Sequence, residues 1–101
     1  RAMRKGVRAG SSALVVHVYP RDELAVRGGP RFGLVVSKQV GNAVARHAVS
    51  RKLRALLFDA AGELPHNYDV VVRALPPAAQ ATSAELGREL RSALRRATAK
   101  L

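Results

Sequence analysis

The sequence predicts a single domain of mixed α and β structure. The chain has 101 residues, of which 48% are hydrophobic, and this length suits one compact domain without room for a second. Three short runs are rich in β-branched residues, at residues 12–19, 31–38 and 68–74. Two longer segments, residues 43–61 and the stretch after Thr82, repeat apolar residues at helical spacing.

The first β-branched run predicts a strand over residues 12–19 that Pro20 ends. Alternation with a period of two places Leu14, Val16 and Val18 on the face that joins the core. The opposite, more polar face then carries Ala13, Val15, His17 and Tyr19.

Further extended segments precede and follow this strand. A short piece bracketed by Gly6 and Gly10 is predicted as a small edge strand after the end of a first helix. Residues 31–38 follow a Gly-Gly-Pro turn and predict a strand antiparallel to the first. Residues 68–74 are apolar at their centre, as expected of a strand inside a sheet, and two prolines end them.

Asn42 is a preferred N-cap and predicts a helix over residues 43–61, with Gly62 as its C-terminal stop. One stripe of this helix is apolar and faces the core: Ala45, Val49, Leu53, Leu56 and Ala60. A second band is expected to point outward together: Arg46, His47, Ser50, Arg51 and Arg54.

Thr82 and Glu85 have the spacing of a capping box at the start of the last helix. Its inner face is predicted to hold Leu86, Leu90, Ala93, Leu94 and Ala97. Its remaining surface carries Arg88, Arg91, Arg95 and Arg96.

Basic residues far outnumber acidic residues in this chain. The chain has 18 Lys and Arg against 7 Asp and Glu, a formal charge of +11 and a pI near 11.6. No acid occurs from Leu24 to Phe58, where seven basic residues occur. A solvated helix face normally mixes both signs, so this stretch favours a polyanionic partner, and phosphate is the natural one.

Several classes of function are excluded by residue content. The seven acids are scattered over turns and helix ends, so a self-sufficient hydrolase is not expected. There is no cysteine, and the three histidines are too far apart in the sequence for a zinc motif. No apolar run is long enough for a membrane helix, and no signal peptide is recognisable, so we expect a soluble, cytoplasmic protein.

Two local features allow more than one interpretation. His17 and Tyr19 either have a structural role on the sheet face or form a stacking surface for single-stranded bases. Gly41 is better explained by the backbone of a turn than by a phosphate cradle, because no Gly-Lys-Ser/Thr motif follows it.

Residues 32–54 resemble the signature of the bacterial ribonuclease P protein component, G-L-V-V-S-K-K-V-G-N-A-V-x-R-N-R-x-K-R-x-x-R. The chain reads F-G-L-V-V-S-K-Q-V-G-N-A-V-A-R-H-A-V-S-R-K-L-R in this region. It departs from the signature at four positions: Gln39, His47, Ala48 and Ser50.

This resemblance implies a two-layer α+β fold of order αβββαβα, like that of a domain of a small-subunit ribosomal protein. It also implies a left-handed crossover between parallel strands through the helix after Asn42, although the general rule favours the right hand.

The resemblance further implies a subunit that binds a large catalytic RNA, which itself holds Mg²⁺ and removes the 5′ leader of precursor tRNA. No further protein partner and no membrane are implied. The residues expected to contact the catalytic RNA are Lys38, Asn42, Arg46, His47, Arg51, Lys52 and Arg54. A cleft for the single-stranded leader is expected at Val15, His17, Tyr19 and Ser37.

Two alternatives remain at this stage. One is a ribosomal type of module that uses the basic helix only as an RNA scaffold. The other is a peripheral membrane protein held by its basic face, which needs an apolar rim that Leu57 and Phe58 would supply.

Overall fold

The computed structural model describes residues 6–20, 31–60, 62 and 68–100. The elements, in chain order, are β1 (Val7–Gly10), β2 (Leu14–Pro20), β3 (Arg31–Val36), α1 (Ala43–Ala60), β4 (Tyr68–Ala74) and α2 (Ser83–Ala99). Short 3₁₀ turns occupy Lys38–Val40 and Pro76–Gln80. The helix predicted before Gly6 lies outside the described residues.

The four strands form one sheet in the order β1-β2-β4-β3. Strand β2 is antiparallel to both β1 and β4, and β3 is parallel to β4. The prediction that residues 31–38 form a strand antiparallel to β2 is right about direction, but the two strands are not neighbours because β4 lies between them. In this central position, the valine-rich strand β4 pairs with a neighbouring strand along both of its edges.

Strand β3, helix α1 and strand β4 form a β-α-β unit. Its register runs from Arg31 opposite Asp69 to Val36 opposite Ala74. The parallel pairing that the family resemblance implies is therefore present. The left hand of this crossover stays a prediction.

Both helices pack on the same face of the sheet, which gives two layers. Helix α2 covers β1 and β2, and α1 lies against β3 and α2. The strand residues predicted to face the core are confirmed, because Leu14, Val16 and Val18 are each 0% exposed. The two-layer α+β fold predicted from the resemblance is confirmed.

Helix α1 begins as predicted and extends to Ala60, and residue 61, the last one predicted for it, lies outside the described residues. The Oδ1 atom of Asn42 accepts a hydrogen bond from the backbone N–H of Ala45 at 2.9 Å, which confirms the N-cap. The predicted apolar stripe needs two corrections: Leu57 is buried at 3% exposure in place of Leu56, which is only partly buried, and Ala45 is half-buried. Leu56 instead faces α2, where its Cδ2 atom lies against Gly87.

Helix α2 matches its prediction closely. Thr82 and Glu85 form both hydrogen bonds of the capping box, at 3.1 Å and 2.8 Å. All five residues predicted for its inner face are buried: Leu86, Leu90, Ala93, Leu94 and Ala97.

Ala13 departs from the predicted alternation of β2. It is 2% exposed and belongs to the core, whereas the alternation placed it on the opposite face. The reason is that the strand begins at Leu14, so Ala13 belongs to the turn before it. There its N–H donates to Glu89 Oε1 at 3.0 Å, and its carbonyl accepts from the N–H of Leu75 at 2.8 Å.

Candidate nucleic-acid interface

One face of the sheet carries neither α1 nor α2, since the buried residues of both helices join the core on the other face. We call this the open face. Val15, His17 and Tyr19 of β2 alternate with the buried residues of that strand and therefore lie on it. Val15 and His17 are half-buried, and Tyr19 is 41% exposed.

The rings of His17 and Tyr19 stack on each other on the open face, and we call this pair the aromatic platform. Their planes are within 5° of parallel and their centroids are 6.3 Å apart, which is in the range of offset stacking. Gly6 lies against the Tyr19 ring, and a Cβ atom at Gly6 would overlap its carbons. The absence of a side chain at Gly6 thus lets the Tyr19 ring take this position.

Ser37 is the fourth residue predicted for the leader cleft. It is exposed and follows β3 directly, with an extended backbone at φ −82° and ψ 171°. Ser37 lies just beyond the end of β3, and the nearest open-face residue of that strand is Val35, which is 40% exposed. Strand β4 lies between β3 and β2, so two strand spacings, roughly 10 Å, separate this end of β3 from Val15, His17 and Tyr19.

Arg73 is a residue of the open face that was not predicted as part of the site. It is exposed in the middle of the sheet, opposite Val15 on one side and Val35 on the other. The strand pattern could have indicated it, because Val70, Val72 and Ala74 alternate as core residues and leave Arg73 on the other face. Its cross-strand neighbours depend on the register, which the sequence does not show.

Helix α1 presents its basic residues along the edge of the sheet formed by β3. His47, Arg51 and Arg54 are exposed, as predicted. Arg46 is half-buried rather than fully outward, and its Nε atom has no hydrogen-bond partner within the described part of the chain. The reason is that Arg46 lies at the border of the buried stripe of α1.

A cleft of about 300 Å³ separates α1 from β3 at this point. Its lining includes Leu34 and Val36 of β3, and Arg46, His47, Ser50 and Arg54 of α1. Two guanidinium groups and one imidazole thus surround a surface depression with apolar walls, where an anion would be less screened than in open water. The arrangement suits a phosphate group.

Lys38 and Asn42 are exposed at the N-terminal end of α1, beside the cleft. This end of a helix carries partial positive charge, which adds to that of Lys38. Gly41 between them has φ +155°, and a Cβ atom there would lie 2.9 Å from that of Ala45. The turn therefore requires glycine, in agreement with the sequence-based interpretation of Gly41.

Lys52 lines a surface depression together with Ala48 and Arg51, but unlike the arginines it is bound to a backbone carbonyl of another segment. It is half-buried, and its Nζ atom donates to the carbonyl of Ala81 at 3.2 Å. The structure thus joins Lys52 to the segment before α2. Its contact with RNA stays a prediction.

The acids of the described residues are dispersed or engaged. Glu89 of α2 accepts hydrogen bonds from Ser11, Ser12 and Ala13. The bond from the Ser11 hydroxyl is the main cause that lowers the pKa of Glu89, and partial burial opposes it. No group of three or more His, Cys, Asp or Glu residues in the described ranges is placed to hold a metal ion. No helix among the described residues is long and apolar enough to cross a membrane.

Sequence comparison identifies close relatives. The family model of ribonuclease P matches residues 1–98 of the chain. The chain is 55% identical over 95 residues to the ribonuclease P protein component of Corynebacterium diphtheriae, an alignment that covers 91% of this chain and 80% of the relative. It is 53% identical over 97 residues to that of Rhodococcus opacus, with 93% and 78% covered.

Solved structures share the fold. The RNase P protein of Staphylococcus aureus superposes with a TM-score of 0.78 at 26% identity, and the match covers 91% of this chain and 81% of that one. The RNase P protein of Thermotoga maritima gives a TM-score of 0.73 at 20% identity, with 87% and 80% covered.

Proposed function

The chain belongs to the ribonuclease P protein family, and on this premise we propose that α1 binds the catalytic RNA while the open face of the sheet binds the 5′ leader of precursor tRNA. As a member of this family, it is the protein subunit of a ribonucleoprotein endoribonuclease. The two surfaces have different chemistry, and each suits a different form of RNA.

The contact with the catalytic RNA is proposed for the cleft between α1 and β3 and for the exposed basic residues beside it. Arg46 and Arg54 reach the cleft, Arg51 lies outside it, and Lys38 and Asn42 stand at the N-terminal end of α1. Guanidinium groups bind phosphate through paired N–H donors and retain their charge at any physiological pH. Asn42 already uses its side-chain oxygen as the helix cap, so it would act chiefly by fixing this end of α1.

The leader contact is proposed for the open face. The observation that carries it is the parallel pair His17 and Tyr19 on a sheet face that neither described helix covers. Unpaired bases stack on such rings whatever their sequence, because every base has a π-face. A surface of this kind fits leaders of many different sequences. Val15 and Ser37 would border the stacked bases.

Chemistry in this proposal belongs to the RNA. We propose that the RNA subunit holds the Mg²⁺ ions that activate water for cleavage of the leader. The protein adds positive charge where two RNA molecules approach each other and holds the leader in place. The observation that motivates this division is that no group of three or more His, Cys, Asp or Glu in the described ranges is placed to hold a metal ion.

The structure removes one of the two apolar residues on which the peripheral-membrane alternative depends. It required Leu57 and Phe58 as an apolar rim beside the basic face, but Leu57 is buried at 3% exposure. Phe58, at 82% exposure, is the one large exposed hydrophobic side chain at that end of α1 among the described residues.

The proposal is tested by reconstitution. The purified protein is added to a bacterial ribonuclease P RNA at a Mg²⁺ concentration too low for the RNA to act alone, with labelled precursor tRNA as substrate. Restored cleavage at the mature 5′ end is expected. No restoration with any bacterial ribonuclease P RNA that a known family member activates would contradict the proposal.

A parallel incubation omits the RNA subunit. The protein alone is expected to leave precursor tRNA intact at every Mg²⁺ concentration. Specific 5′ cleavage by protein freed of RNA with a nuclease would assign the chemistry to the protein instead.

A further inference from the structure

Two arginines of the open face belong to neither predicted RNA surface. Arg8 on β1 and Arg73 on β4 are both exposed, and both lie outside residues 32–54, which carry the family signature. In the sheet register Arg8 is the partner of His17, and Arg73 is the partner of Val15. The two guanidinium groups therefore flank β2, the strand that carries the aromatic platform.

The register fixes how far apart these arginines are. Arg8 and Arg73 lie on strands separated by β2, and their partners on β2, His17 and Val15, are two residues apart. Two strand spacings and this two-residue offset separate their Cα atoms by roughly 12 Å. Side chains on a sheet stand roughly perpendicular to it, so the two charges have a similar separation. His17 lies next to Arg8 and diagonal to Arg73, which places its ring between them.

No carboxylate neutralises Arg73 within its own neighbourhood of the described face. Its cross-strand partners are Val15 and Val35, and the next residue of β4 on this face is Val71. Asp69 is four residues away along β4, a distance of roughly 13 Å, and is itself partnered. A guanidinium group among valines, on a surface that neither described helix covers, is a strong site for an incoming anion, because apolar neighbours reduce screening.

We propose that Arg8 and Arg73 bind two separate backbone phosphates of the single-stranded leader, on either side of the platform formed by His17 and Tyr19. This inference rests on the proposed leader contact and adds to it a fixed path across the sheet. The platform holds the bases, and the two arginines determine which nucleotides reach it. The leader thereby crosses from β1 over β2 to β4.

The test compares two substrates in the reconstituted holoenzyme. Affinity is measured for precursor tRNA with a leader and for mature tRNA without one, over a salt series, with Arg8→Ala, Arg73→Ala and wild type. Each variant is expected to weaken leader-dependent binding by about tenfold, the effect of one charged hydrogen bond. Each should also reduce the salt slope for the leader-bearing substrate by about 0.7, the value for one single-strand phosphate. Binding of mature tRNA should stay unchanged.

Two further variants separate a local contact from general charge. Arg88→Ala removes the same charge from the exposed side of α2, away from the open face, and should leave the ratio of the two affinities unchanged. Arg73→Lys keeps the charge and should retain the salt slope of the wild type. Thermal unfolding confirms that each variant is folded.

Leaders with a single neutral methylphosphonate linkage locate each contact. At one linkage, neutralising the phosphate should weaken binding to the wild-type holoenzyme but cause no further loss of binding to the Arg73→Ala variant. At a different linkage, neutralisation should weaken binding to the wild type but cause no further loss with Arg8→Ala. A shared linkage for both variants would overturn the proposal of two separate phosphates.

The outcomes also distinguish this inference from the proposed function. If His17→Ala reduces leader-dependent binding but neither arginine variant does, the inference is wrong and the leader contact stands. If neither His17→Ala nor the arginine variants change it, both the inference and the leader contact are wrong.

Discussion

The carboxylate of Glu89 accepts a hydrogen bond from the Ser11 hydroxyl at 2.6 Å, which joins helix α2 to the turn between β1 and β2. Arg96 of α2 and Lys100, the residue after its last turn, bind the β1 backbone at two further points. Arg96 Nη2 donates to the Gly10 carbonyl at 3.1 Å, and Lys100 Nζ donates to the Arg8 carbonyl at 2.7 Å. These bonds occupy carbonyls of a strand at the edge of the sheet, where unpaired groups otherwise invite pairing with another chain.

This arrangement predicts a loss of stability in acid. The folded state lowers the pKa of Glu89, so its contribution is fully present above the unfolded pKa of about 4.3 and is lost as pH falls through the folded value. Glu89→Gln should lower the free energy of unfolding at pH 7 by about 1 to 2 kcal/mol. The difference between wild type and variant should shrink as pH is lowered from about 5 to about 3. Denaturant unfolding at several pH values measures it.

Asp59→Asn is the control, because it removes an exposed carboxylate from α1 without disturbing the turn. Its difference from wild type should stay small at neutral pH. A difference between wild type and Glu89→Gln that is independent of pH would show that the charge of Glu89 does not contribute.

A second prediction concerns Gly41. At φ +155°, and with Ala45 2.9 Å from the position of a Cβ atom, an alanine there is strained in both backbone and contact. Gly41→Ala should lower the free energy of unfolding by about 1 to 3 kcal/mol. Gly62→Ala is the matched control, because no atom lies within 4 Å of its added Cβ. Equal melting temperatures for the two variants would contradict the argument.

Local periodicity predicted much of this fold. Alternation in β2 identified its buried residues because the pleat of a strand has a fixed period of two. The cap at Asn42 and the capping box at Thr82 were predictable because each depends on residues only a few positions apart. The resemblance over residues 32–54 indicated the parallel pairing of β3 and β4.

Features that depend on distant residues were not predictable. The insertion of β4 between β2 and β3 follows from packing of the whole sheet, so the position of Arg73 beside Val15 could not be anticipated. Similarly, the stripe of α1 is rotated enough to bury Leu57 and half of Arg46, since the neighbouring β3 and α2 decide which flank is covered. The contact of Glu89 with Ser11 joins positions 78 residues apart.

The third prediction separates RNA binding from folding in α1. Arg51 and Arg54 are exposed, so their replacement by alanine should change the free energy of unfolding by no more than about 0.5 kcal/mol. Each variant should weaken binding to the catalytic RNA and reduce the salt slope by about 0.7 to 0.9. Arg46→Ala should have the same effect on the slope but also alter stability, because Arg46 is half-buried.

Arg91→Ala, on the exposed side of α2, controls for net charge. The measurements are thermal unfolding and RNA affinity over a salt series. A large fall in melting temperature with unchanged RNA binding would assign Arg51 and Arg54 to the fold.

Lys52 should behave differently from these arginines. Its ammonium group donates to the Ala81 carbonyl, so Lys52→Met should lower the free energy of unfolding by about 1 kcal/mol. If Lys52 also contacts RNA, as predicted from the family resemblance, the salt slope should fall as well. Unchanged stability would contradict the structural role of this hydrogen bond.

The last prediction concerns His17. Stacking on an aromatic ring contributes about 1 to 3 kcal/mol per base. His17→Ala should therefore weaken the holoenzyme's binding of leader-bearing precursor tRNA by up to that amount and leave mature tRNA binding nearly unchanged.

His17 would have a purely structural role if a helix covered it, but α2 packs on the opposite face of the sheet. Within the described part of the chain, the structural alternative rests on the contact of His17 with the Tyr19 ring. His17→Phe distinguishes the two, because it keeps a flat ring and should retain the preference for leader-bearing substrate. An unchanged ratio of the two affinities in His17→Ala, with a lowered melting temperature, would mean that His17 supports the fold and the leader does not use it.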